Sequence, residues 1–266
     1  MLFVKNITKI VKLGIASSFI RNEEPVSVIL LGNPEIGKSS ILLRFNTPKN
    51  VFFLTDLTKS KLENLIKEFQ NIRYLIIPDF IKIISHSKST VSNLISLLNA
   101  CIEEGVREIT QYFGGSVHQT TPFKKPIKFG LATAMTRDSL EDRRRNWHRI
   151  GFFSRLMPVS FRYTKEQAKK IREYIYAGKD LFEKKEKLRL KPTTITCSKK
   201  YPAMFEEYID QFADANRLYG FRLSKQIRGL LKANALLRGS RRVTIRDVKE
   251  VKKLLKWINL EYNYVE

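Results

Sequence analysis

The chain is poor in the residues that build metal clusters and disulfide frameworks. Its 266 residues include 2 cysteines and 3 histidines. Cys101 and Cys197 alone supply neither a disulfide network nor four zinc ligands, so the expected compartment is a reducing, intracellular one, the cytoplasm. His86, His118 and His148 do not make a metal set and read as ordinary histidines. No apolar run reaches the roughly 18 residues of a membrane span, and no membrane partner is expected. Lys5, Lys9 and Lys12 interrupt the first twenty residues, which also argues against a secretory signal. Acidic residues are scarce as well: 26 Asp and Glu face 49 Lys and Arg, a formal charge of +23 at pH 7. Such an excess favours a polyanion partner, because each neutralised phosphate releases condensed counterions. The alternative is a solvated lysine surface.

What is present is an alternation of short apolar runs and helical patterns. Val26–Leu31, Val51–Leu54, Tyr74–Ile77 and Phe129–Ala134 have the length of buried strands. Helices are expected from Ser39 to Phe45, over 60–69, and from Ser89 to Glu104, where Val91, Leu94, Ile95, Leu98 and Ile102 share one face. This pattern predicts an α/β fold with a parallel sheet covered on both faces. Ile109, Gln111 and Phe113 alternate with polar or amphipathic neighbours before Gly114-Gly115, which reads as a hairpin ending in Lys124-Lys125-Pro126. Beyond about residue 163 the pattern becomes helical, over 165–191, 202–237 and 244–260, and Thr244 with Asp247 marks a helix start. The expected organisation is a lead-in over 1–24, an α/β nucleotide-binding core over 25–163, and a small helical lid over 164–266.

Gly32-Asn33-Pro34-Glu35-Ile36-Gly37-Lys38-Ser39 is a full match to the phosphate-binding loop pattern. It follows a strand and opens a helix. In that context the glycines let backbone N–H groups wrap a phosphate, and the helix start adds positive potential. Lys38 would reach the β and γ phosphates of ATP, and Ser39, with Ser40 beside it, would offer a hydroxyl to Mg2+. A second metal-facing group should end another strand, and Asp79, after Tyr74–Pro78, is that residue. Phe80 follows where many ATPases carry a water-activating glutamate. Glu103 and Glu104 are the candidates left by elimination.

Taken with the loop, three further segments resemble AAA+ P-loop ATPases, in particular the minichromosome maintenance helicases, DnaA-like initiators and related ATPases of archaea, their viruses and plasmids. Gly151-Phe152-Phe153-Ser154-Arg155-Leu156 is similar to the segment that carries the arginine finger. Phe221-Arg222-Leu223-Ser224-Lys225-Gln226-Ile227, with Ala233 eleven positions after Arg222, resembles the sensor-2 helix. Val243-Thr244-Ile245-Arg246-Asp247-Val248 resembles the start of the last lid helix. Glu104–Ile109 and Leu131–Ala134 resemble the stretch leading to sensor 1, with Thr136 the first choice for that residue and Thr133 the second. The amino-terminal DNA-binding domain and zinc site of the full helicases have no counterpart in this sequence.

The resemblance implies an ATP-hydrolysing, DNA-associated protein that assembles with itself as a ring or spiral. Arg155 would act on a neighbour's γ-phosphate, and Arg222 would contact phosphate from the lid. Lys124 and Lys125 would track DNA from a pore hairpin, and Arg143, Arg144 and Arg145 form a further basic cluster. Tyr112, Phe113 and Trp147 are aromatics that could stack on bases or pack in the interior. The expected role is replication initiation or helicase activity on a small viral or plasmid genome, with a helicase or other replication protein as a possible partner. Alternatives are a nucleotide-gated DNA-binding adaptor or loader that hydrolyses little, and a viral DNA-packaging ATPase.

Overall fold

The computed structural model describes residues 4–46, 48–113, 117–179, 185–216 and 219–259. In chain order the first half holds α1 (Lys5–Ser17), β1 (Ser27–Leu31), α2 (Lys38–Leu43), β2 (Phe45–Asn46), β3 (Val51–Phe53), α3 (Lys59–Glu68), β4 (Tyr74–Ile77), α4 (Ile81–Ile84) and α5 (Lys88–Asn99). The middle holds β5 (Val106–Phe113), β6 (Val117–Ile127), β7 (Gly130–Met135), α6 (Arg137–Glu141), α7 (Arg144–Arg149) and β8 (Leu156–Ser160). The last part holds α8 (Lys165–Tyr176), β9 (Glu186–Lys187), α9 (Lys200–Ala203), α10 (Glu206–Asn216), α11 (Phe221–Leu237) and α12 (Ile245–Lys252).

Five strands form one parallel sheet in the order β3-β4-β7-β1-β8. The four strands expected from sequence are all in it. The fifth, β8, was not legible as a strand, because its five residues carry Pro158 at their centre. Proline removes a ladder donor and is tolerated at a sheet edge, which is where β8 lies. Every residue of β1, β4 and β7 is buried, as a parallel sheet covered on both faces requires. The period of two divides them. Val28, Leu30, Tyr74, Ile76, Ala132 and Ala134 face one apolar cluster, and Ile29, Leu31, Leu75, Ile77, Leu131 and Met135 the other.

The helices on the first face come from both ends of the chain. Helix α1 is buried almost all round, with Ile7, Ile10, Leu13 and Ile15 wholly inaccessible. Each such side chain contributes about 1.5–3 kcal/mol. The stretch expected as a lead-in thus carries a central helix of the fold. Its Gly14 lies so close to Tyr74 that a Cβ there would stand 2.7 Å from the Tyr74 hydroxyl. Ile227, Leu230 and Leu231 of α11 and Val248 and Val251 of α12 join the same cluster. The helices over 221–252, expected in a separate lid, therefore share a core with α1 and the sheet. The helix expected over 165–191 is shorter: α8 ends at Tyr176, and Gly178 takes a left-handed φ of 66° that stops it. From there Leu188 is buried and Leu190 half-buried along an extended segment.

The second face is covered by α3, α5 and the aromatic trio Phe80, Trp147 and Phe152. Helix α5 runs on as one π-turn, Ala100–Glu104, before Gly105 and the hairpin β5–β6. The hairpin leans on α3, where Lys67 Nζ donates to Gln111 Oε1 at 2.6 Å.

Candidate functional site

The loops after β1, β4 and β7 all open on the carboxyl edge of the sheet, where ligands bind in open parallel α/β folds. Gly32–Gly37 makes a tight bend there. Gly37 takes φ 81° as the residue before α2, and Glu35 takes φ 66° although it is not glycine. A Cβ on Gly32 would stand 2.3 Å from Ile36 Cδ1 and 3.2 Å from the Phe161 carbonyl oxygen, so a larger residue at the start of the bend would displace Ile36. The bend is buttressed from behind by Tyr163, whose hydroxyl donates to the Ile36 carbonyl at 3.0 Å. Asn33, Pro34 and Glu35 are exposed, and Ser40 is half-buried on the first turn of α2.

Lys38 folds its ammonium into this bend, donating to the Gly32 carbonyl at 2.8 Å and the Asn33 carbonyl at 2.6 Å. Burial lowers its pKa, and the nearby Asp79 carboxylate opposes that shift. Ser39 Oγ donates to the Pro78 carbonyl at 2.9 Å. Asp79 Oδ1 accepts from the Ile81 N–H at 3.0 Å, and its carboxylate charge reaches Lys38. Three residues from two segments some forty positions apart therefore converge: a cation, a hydroxyl and a carboxylate.

Phe80 sits with its side chain inaccessible, stacked on Phe152 at 5.8 Å and edge-on to Trp147 at 5.8 Å. The position after Asp79 thus faces the second apolar cluster rather than the crevice. Of the two sensor candidates, Thr133 is buried and its Oγ1 donates to the Ile77 carbonyl at 2.8 Å, a strand-to-strand bond. Thr136 stands at the carboxyl edge, caps α6 and donates to Ser139 Oγ at 2.8 Å. Sequence reading missed one pair on the same edge. His86 Nε2 lies 2.7 Å from Asp56 Oδ1, and hydrogen bonds from His86 and Lys61 hold the Asp56 carboxyl down to about 2. No spacing in the sequence signals it, because Asp56 follows β3 and His86 follows α4.

Arg155 and Arg222 lie at the other end of the sheet. Arg155 immediately precedes β8, and the first turns of α11 pack beside Glu24 and Val26 at the start of β1. One five-residue strand, about 16 Å, separates them from the Gly32–Ser39 loop of the same chain. Both are held by carboxylates of the π-turn. Arg222 makes a fork on Glu103, Nε to Oε1 at 3.0 Å and Nη2 to Oε2 at 2.9 Å, and its Nη1 donates to Ser154 Oγ at 2.8 Å. Arg155 Nη2 donates to Glu104 Oε1 at 3.0 Å and Nη1 to the Gly151 carbonyl at 2.8 Å. Its Nε is 2.8 Å from Glu103 Oε2 but not aligned for a hydrogen bond, so that contact is an ion pair. Burial pulls the Glu103 pKa up, yet Arg222 and Arg155 outweigh it and hold the carboxyl below its ordinary value. Glu103 and Glu104 are thus engaged with Arg222 and Arg155 at the edge opposite the Gly32–Ser39 loop. The larger cavity at this end, about 470 Å³, is lined by Phe153, Phe212, Phe221 and Arg222.

The basic candidates part company. Lys124 and Lys125 are exposed, but they lie near the base of β6 at a register irregularity opposite Arg107, not at the hairpin tip. Arg143 is spent internally, donating to the Ile84 carbonyl at 3.1 Å. The side chains of Arg144, Arg145, His118, His148, Tyr112 and Phe113 lie outside the described residues. Trp147 is buried, an interior residue rather than a stacking platform. Among the described residues no group of three or more His, Cys, Asp or Glu could hold a metal by itself, and no helix is long and apolar enough to cross a membrane. No protein-family model matches the chain, and no curated protein matches it.

Proposed function

We propose that this chain is an AAA+ P-loop ATPase that binds and hydrolyses ATP, acts on DNA in replication initiation or helicase work of a small viral or plasmid genome, and does so as a self-assembled ring or spiral. The observation that carries the reading is the convergence of Lys38, Ser39 and Asp79 at the carboxyl edge of a parallel sheet, beside the tight Gly32–Gly37 bend. The donor set suits a magnesium triphosphate. Lys38 would leave the Gly32 and Asn33 carbonyls for the β and γ phosphates, and Ser39 Oγ with the Asp79 carboxylate would hold Mg2+. When bound, that ion offsets phosphate charge. Thr136, which caps α6 after β7, would orient a group at the γ-phosphate.

Arg155 and Arg222 stand a strand length from their own loop, so in this reading they serve the loop of an adjoining copy. Assembly then has to release them from Glu103 and Glu104. A guanidinium brought to developing phosphoryl charge is worth several orders of magnitude in rate. The DNA half of the reading is supported by the +23 charge and by exposed cations such as Lys124 and Lys125.

One observation favours the second reading, a nucleotide-gated adaptor with little turnover. Phe80 is locked between Trp147 and Phe152, and Glu103 and Glu104 of the π-turn are tied at the far edge, so none of these three positions offers a water-activating carboxylate beside Asp79 within the chain. The test is single-turnover hydrolysis with and without DNA over a protein concentration series, beside Lys38→Ala. Turnover that rises with concentration and DNA supports the first reading. ATP binding without turnover supports the second. A wild-type protein that binds ATP no better than Lys38→Ala ends both.

A further inference from the structure

A second basic site lies away from the phosphate loop. Four stretches distant in sequence, namely the start of α1, residues 186–190, the end of α11 and the start of α12, enclose a groove of about 640 Å³. Seven Lys or Arg side chains line it against two glutamates, Glu186 and Glu250. Three of the cations are already engaged. Lys9 Nζ pairs with Glu250 at 2.6 Å, Lys12 Nζ with Glu186 at 3.1 Å, and Arg238 Nη2 with Asp247 at 2.8 Å. These pairs use up the carboxylates of the groove. Lys9 and Lys253 hold Glu250 ionised down to about pH 2, so the pairing persists at neutral pH. Lys5, Lys187, Arg189 and Arg246 are exposed at the rim. The floor is apolar, from Leu188, Leu190, Leu236 and Leu237.

We infer that this groove binds the phosphodiester backbone of DNA, with Lys5, Lys187, Arg189 and Arg246 as the phosphate contacts. The chemistry is that of a phosphate track. Cations from separate elements converge on a concave surface, and a bound polyanion would relieve the like-charge repulsion among them. The guanidinium forks of Arg189 and Arg246 suit phosphate oxygens, while the two lysines act as point charges. The apolar floor can lie under a sugar or a base face. The inference deepens the proposed function by naming where DNA lies, and it rests on the DNA half of that reading alone. The groove is built without any residue of the phosphate loop, so nucleotide binding and backbone binding are separable.

The experiment compares the wild-type protein with Lys187→Ala/Arg189→Ala/Arg246→Ala and with a charge-matched control on the exposed helix α8, Lys165→Ala/Lys169→Ala/Lys170→Ala. Binding of labelled single- and double-stranded DNA is titrated over a salt series, beside thermal melting and ATP binding. Each phosphate contact carries about 0.7–0.9 of the log–log salt slope. The groove variant is expected to bind DNA about ten- to a hundredfold more weakly at low salt, with a slope smaller by about 2, and with ATP binding and melting unchanged. The α8 control should stay near wild type. Equal losses in both variants mean bulk charge and overturn the groove. Unchanged DNA binding in the groove variant overturns it while leaving the DNA reading in place. A wild-type protein that binds no DNA removes the DNA reading and the inference with it. A parallel arm titrates tripolyphosphate into Lys38→Ala protein with and without the groove substitutions. Loss of tripolyphosphate with retention of DNA would mark a free-phosphate site and refute a backbone track.

Discussion

Ser39 Oγ donates a 2.9 Å hydrogen bond to the carbonyl oxygen of Pro78, the residue immediately before Asp79. This bond ties the first turn of α2 to the end of β4 across the intervening strand β7, which pairs with both β1 and β4. It sets a hydroxyl and a carboxylate side by side at the point where Lys38 feels the charge of Asp79.

Lys38→Ala should reduce ATP affinity by about ten- to a hundredfold, the range of a lost charge-assisted hydrogen bond of about 1.5–3 kcal/mol. The carbonyls of Gly32 and Asn33 can turn to water when the ammonium is gone, so the melting temperature should hardly move. Fluorescent-nucleotide titration beside a thermal melt reads both. A variant that melts like wild type and keeps full affinity contradicts the assignment of the loop.

Arg155→Ala should leave ATP binding intact and abolish the rise of turnover with protein concentration. The arginine is remote from its own loop, so its loss can be felt only by a neighbour. Mixing it with Lys38→Ala protein checks this: each supplies what the other lacks, and turnover should partly return in the mixture. Normal hydrolysis by Arg155→Ala alone rejects the shared site.

Phe80→Glu should not create a better ATPase. The side chain would bury a carboxylate between Trp147 and Phe152, and burial of an unpaired charge together with lost packing should cost about 4 kcal/mol or more. Phe80→Leu should cost about 1–2 kcal/mol and leave ATP binding unchanged. Urea denaturation measures both. A stable Phe80→Glu protein with raised turnover would show that this position faces the crevice.

Asp247 is the buried anchor of the last helices. Although burial pushes its pKa up, hydrogen bonds from Arg238, from the Thr244 N–H, from Asn234 and from the Thr244 hydroxyl hold it below its usual value. A depressed carboxylate stabilises the fold above the unfolded-state pKa, and that contribution is lost as pH falls below about 4. Asp247→Ala should cost about 3 kcal/mol at pH 7, because Asn234 and Thr244 lose their acceptor. The stability gap between wild type and variant should shrink as pH falls from 5 towards 3 in chemical denaturation, and a gap independent of pH would contradict this.

Lys124→Ala/Lys125→Ala should weaken DNA binding without touching ATP affinity or melting, since both side chains are exposed near the base of the hairpin. Removing two phosphate contacts should lower the log–log salt slope by about 1.5. An unchanged slope would assign DNA contact wholly to other surfaces.

Much of the frame was legible because it is local. Four of the five sheet strands are short, mainly apolar runs, and the glycine, lysine and serine spacing of residues 32–39 puts a tight bend between a strand and a helix. The Thr244–Asp247 reciprocal bonds were readable for the same reason, as a helix start satisfies its own N–H groups from three residues away. Strand β8 was not, since Pro158 breaks the usual strand signature and only its place at the sheet edge makes the proline tolerable. Helix α1 read as a mere lead-in because its lysines look like a solvated face. In the structure Lys9 and Lys12 stretch their ammonium groups to Glu250 and Glu186 while Ile7 and the helix from Ile10 onward are otherwise buried.

The sequence by itself determined the alternation of strands and helices, the phosphate-loop spacing, the strand-ending Asp79 and the strong positive charge, because each is written in neighbouring residues or in composition. Only the tertiary structure decided that Phe80 is interior, that Arg155 and Arg222 are bound to Glu103 and Glu104 at the edge opposite Lys38, and that α1, α11 and α12 together raise a basic groove. Those outcomes depend on which faces of distant segments meet when apolar surface is buried, and chain order does not encode that distance.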